Sequence, residues 1–409
     1  MAVVQPWLVE LENLYRALSH NGNMMKQEWQ MTILGIMTSP VKHAWKPGQE
    51  ELPYIGLEHI EEQLLKLNGF GNSKTVESNK FRFMSGDILF GKLRPYFRKI
   101  VRIDFEGVCS TDIWVFRAHK GFDQRFLFYF LANPLFVDKA TKASSGTKMP
   151  RADWKYLEST EWAVPPLLEQ KAIADVLSSL DDKIELLRRQ NETLEKIAQT
   201  IFKEWFVEFN FPDKNGKPYK SSGGKMTDCE LGEIPEGWKV GSYDDLAEVT
   251  TGKGLNKEYI KPNGQYAVLG ANGELGRSDS YLHDEELVLT GRVGTLGTVY
   301  LSTGKAWISD NVLISRARRP SDTFYCLLSL KRVRLATLNR GSTQPLITQT
   351  DLKNIPMVIP SDSIRSKWSA AVAGITGKLS SSHKQTITLS AMRDALLPKL
   401  MSGQVRVNN

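Results

Sequence analysis

One stretch of the sequence combines basic and aromatic side chains in a way that suits contact with a polyanion. Residues 92–102 read KLRPYFRKIVR, with five basic residues and no acid, directly after an apolar run that predicts a strand. Arginine and lysine neutralise phosphates or bind guanine edges, and aromatic rings pack on sugars or thymine methyl groups. A solvated basic hairpin is the structural alternative. The candidate contact residues of this stretch are Lys92, Arg94, Tyr96, Arg98 and Lys99.

Two loops rich in glycine and small hydroxyl residues are candidates for holding phosphates. Each combines hydroxyls, a glycine that allows close backbone approach and a long polar donor that can reach a base. The first loop contributes Ser145, Gly146, Thr147 and Lys148, and the second contributes Arg340, Ser342, Thr343 and Gln344. We interpret Asp153 and Asp351, which follow these loops, as helix-capping or turn residues.

These candidates lie in a unit that occurs twice. GDILFGKLRP at 86–95 is matched by ELVLTGRVGT at 286–295, and STDIWVFRA at 110–118 by SDNVLISRA at 309–317. A duplicated domain suits a protein that reads two separated sites on one extended polymer.

The second copy carries its own candidates. Its turn holds Thr290 and Arg292 with far less charge than the first turn, so we expect the two copies to read different sequences. Asn272, which follows a predicted strand, is a candidate adenine reader, and an ordinary turn asparagine is the alternative.

The motifs of several catalytic families are missing from the sequence. The glycine-rich run GRVGTLGT at 291–298 lacks the GK[ST] ending of a phosphate-binding loop, and no FxGxG, HExxH or GxSxG motif occurs. The three cysteines lack metal-ligand or redox spacing, which indicates reduced cytoplasmic thiols. A formal net charge of +7 mildly favours a polyanionic partner. These features favour binding over catalysis.

The elements that must position the candidates are two α+β domains and two long helices. Short apolar strands between turns predict curved, mainly antiparallel sheets in both copies, and residues 126–136 and 324–330 predict short helices. We expect a lead at 1–26, mixed domains at 27–166 and 229–360, long helices at 167–209 and 361–403, and a linker at 210–228.

The first long helix has the narrow apolar seam of a coiled coil. Its seam residues recur at spacings of three and four, and a polar residue among them would fix the register. The seam includes Leu180, Ile184, Leu187, Asn191, Leu194, Ile201 and Trp205. The second helix repeats it more weakly with Leu379, Leu389 and Leu396, and we expect Pro398 to break that helix. Packing of each helix on its own domain is the alternative to packing of the two seams on each other.

Three further segments match a known family. They are LGEIPEGW at 231–238, PPLLEQKAIA at 165–174 and FKEWF at 202–206. With the duplicated architecture, they make the chain resemble the specificity subunits of type I restriction-modification enzymes. The resemblance implies two pseudo-symmetric target-recognition domains that each read one half of a bipartite, asymmetric DNA target. It also implies that the two helical regions pack as an antiparallel coiled-coil spacer.

The resemblance further implies a non-catalytic DNA-binding subunit of a cytoplasmic host-defence complex. The helices would dock two methyltransferase subunits, which bring S-adenosylmethionine and methylate adenine. Motor and nuclease subunits, which use ATP and Mg, would join for cleavage. No cofactor on this chain and no membrane partner would be expected.

An assembly protein whose mixed domains bind protein or glycan is the alternative from another functional class. DNA binding that weakens steeply with salt and survives competitor DNA distinguishes the two.

Overall fold

The structure is a computed structural model that describes residues 28–146, 148–261, 264–293, 296–340 and 345–407. It divides into two compact units. Unit 1 comprises the described residues up to Leu187 and again from Gln385, and unit 2 comprises the described residues of Arg188–Lys384. Each unit holds one mixed domain and one half of each long helix.

The mixed domain of unit 1 is built from short strands with a few helices. The strands are β1 (Gln30–Ile33), β2 (Thr38–Val41), β3 (Ala44–Trp45), β4 (Pro53–Ile55), β5 (Gly71–Asn72), β6 (Lys80–Phe83), β7 (Ile88–Gly91), β8 (Ile100–Arg102), β9 (Gly107–Cys109), β10 (Ile113–Ala118), β11 (Ser144–Ser145), β12 (Arg151–Ala152) and β13 (Glu161–Val164). The helices are α1 (Leu34–Met37), α2 (Gln124–Ala132), α3 (Pro134–Lys142) and α4 (Trp154–Leu157), followed by the long α5 (Leu167–Phe206).

Two sheets form the body of this domain. One has the antiparallel order β2-β10-β7-β8, and the other has the order β3-β6-β9-β4-β5, in which β4 and β9 are parallel. Successive side chains of β7 enter different cores, since Ile88 and Phe90 pack with α2 whereas Leu89 packs on the other face. A strand covered on both faces has an unbroken apolar run, which is why ILFG is apolar throughout.

The predicted helix at 126–136 is two helices in the structure. Asp123 caps α2 by accepting hydrogen bonds from the backbone N–H groups of Arg125 and Phe126. Asn133 ends α2 and caps α3, which begins at Pro134. Proline lacks an N–H group and disfavours helical geometry in the residue before it, so the chain turns at this point.

Unit 2 repeats the plan with its own strands and helices. The strands are β14 (Met226–Cys229), β15 (Gly232–Pro235), β16 (Lys239–Ser242), β17 (Ala247–Thr251), β18 (Tyr266–Gly270), β19 (Gly273–Ser278), β20 (His283–Asp284), β21 (Leu287–Gly291), β22 (Val299–Ser302), β23 (Lys305–Ile308), β24 (Val312–Ala317) and β25 (Pro356–Ile359). The helices are α6 (Thr323–Arg332), α7 (Gln349–Lys353) and the long α8 (Asp362–Met401).

The duplication read from the sequence is confirmed by strand pairing. The order β17-β24-β21-β22 repeats the order β2-β10-β7-β8. The register repeats as well, because Gly91 pairs with Ile113 in unit 1 and Gly291 pairs with Val312 in unit 2. The second sheet of unit 2 is β19-β18-β23-β20, with β18 and β23 parallel. The predicted α+β class with mainly antiparallel sheets is confirmed.

The two long helices each contain 40 residues and run antiparallel. In unit 1 the early part of α5 meets the late part of α8, where Arg393 lies 2.7 Å from Asp181. In unit 2 the late part of α5 meets the early part of α8, where the rings of Phe202 and Trp368 are 5.8 Å apart. The expected break at Pro398 is wrong, because α8 continues through it to Met401. The missing N–H costs one hydrogen bond in the last turn, where buried neighbours hold the helix.

The segment predicted as a linker is packed within unit 2 through stacked rings. Phe211 is buried and stacks on Tyr219 at 4.6 Å and on Trp238 at 5.2 Å. Trp238 belongs to the LGEIPEGW motif, whose residues Gly232–Pro235 form β15, which pairs with β14. None of the helices in the described ranges combines the length and apolar character needed to cross a membrane.

Candidate nucleic-acid interface

The basic turn and the small-residue loop of unit 1 lie against each other. The turn leaves β7 and passes through a 3-10 helix at Pro95–Phe97. The backbone N–H of Arg94 donates to the carbonyl of Pro150 at 2.7 Å, and its guanidinium lies 3.4 Å from the carbonyl of Lys148. Arg94, Tyr96 and Lys148 are all exposed. Candidates from two separate segments therefore meet at one surface.

Lys92 lies at the base of this turn and supports it. Its backbone N–H donates to the carbonyl of Asp112, and its carbonyl accepts from Ala152, each at 2.9 Å. Arg151 binds the Asp112 carboxylate through two hydrogen bonds of 2.8 and 3.1 Å. Partial burial lowers the pKa of the Lys92 ammonium, and nearby Asp112 partly offsets this. The ion pair of Arg151 and Asp112 thus holds the residues that bond to the backbone of Lys92.

Two predicted contact residues of the turn face inward instead. Arg98 is buried, its Nε donates to the carbonyl of Ala132 at 2.7 Å, and its guanidinium lies 3.7 Å from the Asp394 carboxylate. Burial lowers the pKa of Arg98. The burial of Arg98 and the bond from its Nε inside the unit do not favour the predicted contact with DNA. Lys99 is half-buried and donates to the carbonyl of Leu57 at 2.9 Å.

The small-residue loop of unit 1 is exposed along its described length. Ser145 ends β11, and Gly146 follows with a φ of +100°, a conformation that suits glycine. Lys148 is exposed beside the turn. Thr147 lies outside the described residues.

The turn of unit 2 has the same pattern of backbone hydrogen bonds, but Arg292 stands where unit 1 has Lys92. The N–H of Arg292 donates to the carbonyl of Asn311 at 3.0 Å, and its carbonyl accepts from Ile347 at 2.9 Å. Arg292 is half-buried, and its Nε is buried without a hydrogen-bond partner among the described residues. Thr290 is fully buried on β21, which does not favour the predicted contact with DNA.

Two further candidates of unit 2, Asn272 and Arg340, are exposed. Asn272 stands between β18 and β19, and its side-chain oxygen accepts from the hydroxyl of Thr298 at 3.2 Å. Arg340 is exposed, and its Nε lies 2.6 Å from the Asp351 carboxylate. Ser342, Thr343 and Gln344 lie outside the described residues.

Both capping aspartates are confirmed. Asp153 caps α4 by accepting from the N–H of Lys155 at 2.9 Å. Asp351 forms a capping box with Thr348 at the start of α7. Burial raises the pKa of Asp351, but hydrogen bonds from Thr348 and the charge of Arg340 outweigh it and leave that pKa lowered.

The seam residues of the long helices are buried to different degrees. Within unit 1 the buried members are Leu180, Ile184, Leu187 and Leu396, and Leu389 is half-buried. Within unit 2 the half-buried members are Asn191, Leu194, Ile201, Trp205 and Leu379. The side-chain oxygen of Asn191 is buried without a hydrogen-bond partner among the described residues, and Asn191 lines a cavity of about 580 Å³.

A partly buried polar cluster in unit 1 was not predicted. The Tyr129 hydroxyl donates to Asp181 at 2.7 Å, and Arg393 binds both Asp181 and Asp394. Burial raises the pKa of Tyr129 well above its ordinary value. A basic residue at an otherwise apolar seam position was the available signal, but it does not identify the partner. This cluster explains why Arg98, which approaches Asp394, points inward.

Comparison with known proteins gives a consistent result. Residues 43–196 and 235–369 match the family model described as type I restriction modification DNA specificity domain. The chain is 27% identical over 313 residues to the type I restriction enzyme MjaIX specificity subunit of Methanocaldococcus jannaschii, covering 70% of each chain. It is 24% identical to the HindI specificity subunit of Haemophilus influenzae, covering 78% of this chain and 86% of the relative. The crystal structure of a type I restriction-modification S subunit from M. genitalium shares the fold, with 16% identity, a TM-score of 0.53 and coverage of 94% and 98%.

Proposed function

Because the chain belongs to the family of type I restriction-modification DNA specificity subunits, we propose that each of its mixed domains reads one half of a split DNA target. The chain is a non-catalytic subunit of such a complex. The recognition of two half-sites fits the two copies of one structural unit.

The observation that carries this proposal is the pairing of a turn with a loop in both units. Lys92 and Arg292 make the same two kinds of backbone hydrogen bond. The N–H of each donates to the residue just before β10 or β24, and the carbonyl of each accepts from a residue just after the small-residue loop. In unit 1 the pairing presents Arg94, Tyr96 and Lys148. Arginine and lysine serve phosphate and guanine contacts, and the tyrosine ring serves sugar or base contacts.

The long helices act, in this proposal, as the scaffold for partner subunits. A methyltransferase would supply S-adenosylmethionine and methylate adenine in each half-site, and motor and nuclease subunits would supply the chemistry that uses ATP and Mg. This chain contributes the choice of sequence. Its described residues form no cluster of histidine, cysteine, aspartate and glutamate suited to a metal ion.

The test is methylation mapping of a genome in cells that co-express this chain with its methyltransferase, and in cells with the methyltransferase alone. We expect adenine methylation at a split motif only when the chain is present. Methylation that is indifferent to the chain would contradict the proposal. A purified complex should also bind the mapped motif with a strong salt dependence and in the presence of competitor DNA.

A further inference from the structure

The loop at residues 61–66 is fastened to the basic turn of unit 1. It is closed by a hydrogen bond of 2.9 Å from the N–H of Glu61 to the carbonyl of Lys66. The backbone N–H of Gln63 donates to the carbonyl of Phe97 at 3.2 Å, and its side-chain amide donates to the carbonyl of Tyr96 at 2.9 Å. The loop and the turn therefore meet at the proposed reading surface.

The backbone of both segments is held in an unfavourable conformation. Gln63 and Leu65 in the loop, and Arg94 and Arg98 in the turn, have φ between 50° and 64°. Phe209 is the fifth non-glycine residue with positive φ in the described part of the chain, and it lies in unit 2. Left-handed backbone at residues with a Cβ costs free energy and persists where surrounding contacts hold it, often at binding sites.

The two leucines of the loop point in opposite directions, Leu64 outward and Leu65 inward. Leu65 packs against the core of unit 1. Leu64, between the two left-handed residues, keeps 44% of its surface exposed, and Tyr96 keeps 45%. An apolar side chain is thus presented beside the turn.

We propose that Leu64 contacts the methyl group of a thymine in the half-site read by unit 1, and that Gln63 is its positioning residue. The inference rests on the proposed function. Thymine displays its C5 methyl group in the major groove, and apolar side chains recognise it by direct contact. Each half-site that undergoes adenine methylation contains an adenine–thymine pair, so a thymine is present for this contact.

Deoxyuridine, which lacks the methyl group, provides the test. The full chain in complex with its methyltransferase is titrated with duplexes in which each thymine of the mapped motif is replaced in turn by deoxyuridine. For the unaltered chain we expect one position in one half-site to lose about fourfold in affinity, which corresponds to about 0.8 kcal/mol for one buried methyl group. If no thymine of the motif shows this preference, the proposal is overturned.

Variants of the loop assign the effect. Leu64→Ala should bind thymine and uracil duplexes equally. Gln63→Glu, which keeps the size of the side chain but loses the donor to Tyr96, should reduce the preference while leaving thermal unfolding unchanged. Retention of the fourfold preference by Leu64→Ala would refute the contact, and retention by Gln63→Glu would refute the positioning role.

The matched control is Ile36→Ala. Ile36 lies in α1 and is 57% exposed. It is close in the chain to Thr38, which pairs with Ala118 at the end of β10 that is distant from the turn. It should retain the full preference. A complex that binds no split motif at all would instead contradict the proposed function, so the two failures are distinguishable.

Discussion

The two units pack the long helices with different chemistry at equivalent positions. Since α5 and α8 have equal length, residues 195 apart correspond. In unit 1 the nearly fully buried Arg393 binds Asp181. The corresponding residues of unit 2 are Ala198 and Thr376, which cannot form an ion pair.

Unit 2 uses aromatic packing instead. Trp368 is fully buried, and its ring lies 5.8 Å from Phe202, 5.6 Å from Phe206 and 6.0 Å from Tyr325. Beside it lies the cavity of about 580 Å³, lined in part by Thr376. A duplicated backbone therefore preserves strand order and helix pairing, while each core is filled by its own set of contacts. Cores tolerate such exchange when overall patterning is kept.

The largest contrast is expected when the ion pair of Arg393 in unit 1 is broken. Arg393→Ala removes the cation from the partly buried Asp181, which keeps its hydrogen bond from Tyr129, and should destabilise unit 1 by about 2–3 kcal/mol, measured by denaturant unfolding. The matched control is Lys331→Ala in unit 2, whose exposed pair with Glu195 at 3.4 Å should contribute less than about 1 kcal/mol. Equal effects of the two variants would contradict the assigned difference between the units.

The two arginines of the basic turn separate stability from recognition. Arg98→Ala removes the charged group that donates to the carbonyl of Ala132, and it should lower stability by about 2 kcal/mol. Arg94→Ala should leave stability unchanged but weaken binding of the half-site proposed for unit 1 by about 1–3 kcal/mol if Arg94 contacts a base. Thermal unfolding and DNA titration of both variants check this, and a loss of affinity from Arg98→Ala without a loss of stability would reverse the assignment.

The cavity of unit 2 predicts a stabilising substitution. Asn191→Leu replaces a buried oxygen that lacks a partner among the described residues, so unit 2 should gain about 1–2 kcal/mol of stability. Glu192→Leu, at the adjacent exposed position, serves as the control and should give no such gain. Thermal unfolding measures both, and a destabilised Asn191→Leu would indicate that its amide is needed for helix register.

The smallest contrast concerns the two capping aspartates. Because the folded-state pKa of Asp351 is lowered, its stabilisation is present above the unfolded value of about 3.9 and is lost as pH falls through the folded value. Asp351→Ala should cost about 1 kcal/mol at neutral pH. Its unfolding midpoint should converge with that of the unaltered chain in acid. The control, Asp153→Ala, removes an exposed cap for which the described residues show no arginine partner comparable to Arg340. A difference in unfolding midpoint between Asp351→Ala and the unaltered chain that stays constant across pH would contradict this expectation.

Much of the architecture could be read from local patterns. The β7 and β21 runs, the capping aspartates and the apolar seams are expressed in residues close together in the chain, so the strands, caps and helices were predictable. The paired motifs at offsets near 200 residues predicted the duplication in the same way. The split at Pro134 and the continuation of α8 through Pro398 were missed, because a proline ends a helix in one setting and is tolerated in another.

Which residues belong to the candidate surface depends on contacts between segments that are far apart in the sequence. Arg94 and Arg98 are four residues apart in one basic run, yet Arg94 is exposed whereas Arg98 is held by Ala132 and lies close to Asp394. No local pattern distinguishes them, because partners up to about 300 residues away along the chain determine which guanidinium is desolvated. The position of Gln63 beside Tyr96 has the same origin. Chemical type and periodicity are local properties of a sequence, whereas burial and the direction of a side chain are set when the sheets, loops and helices pack together.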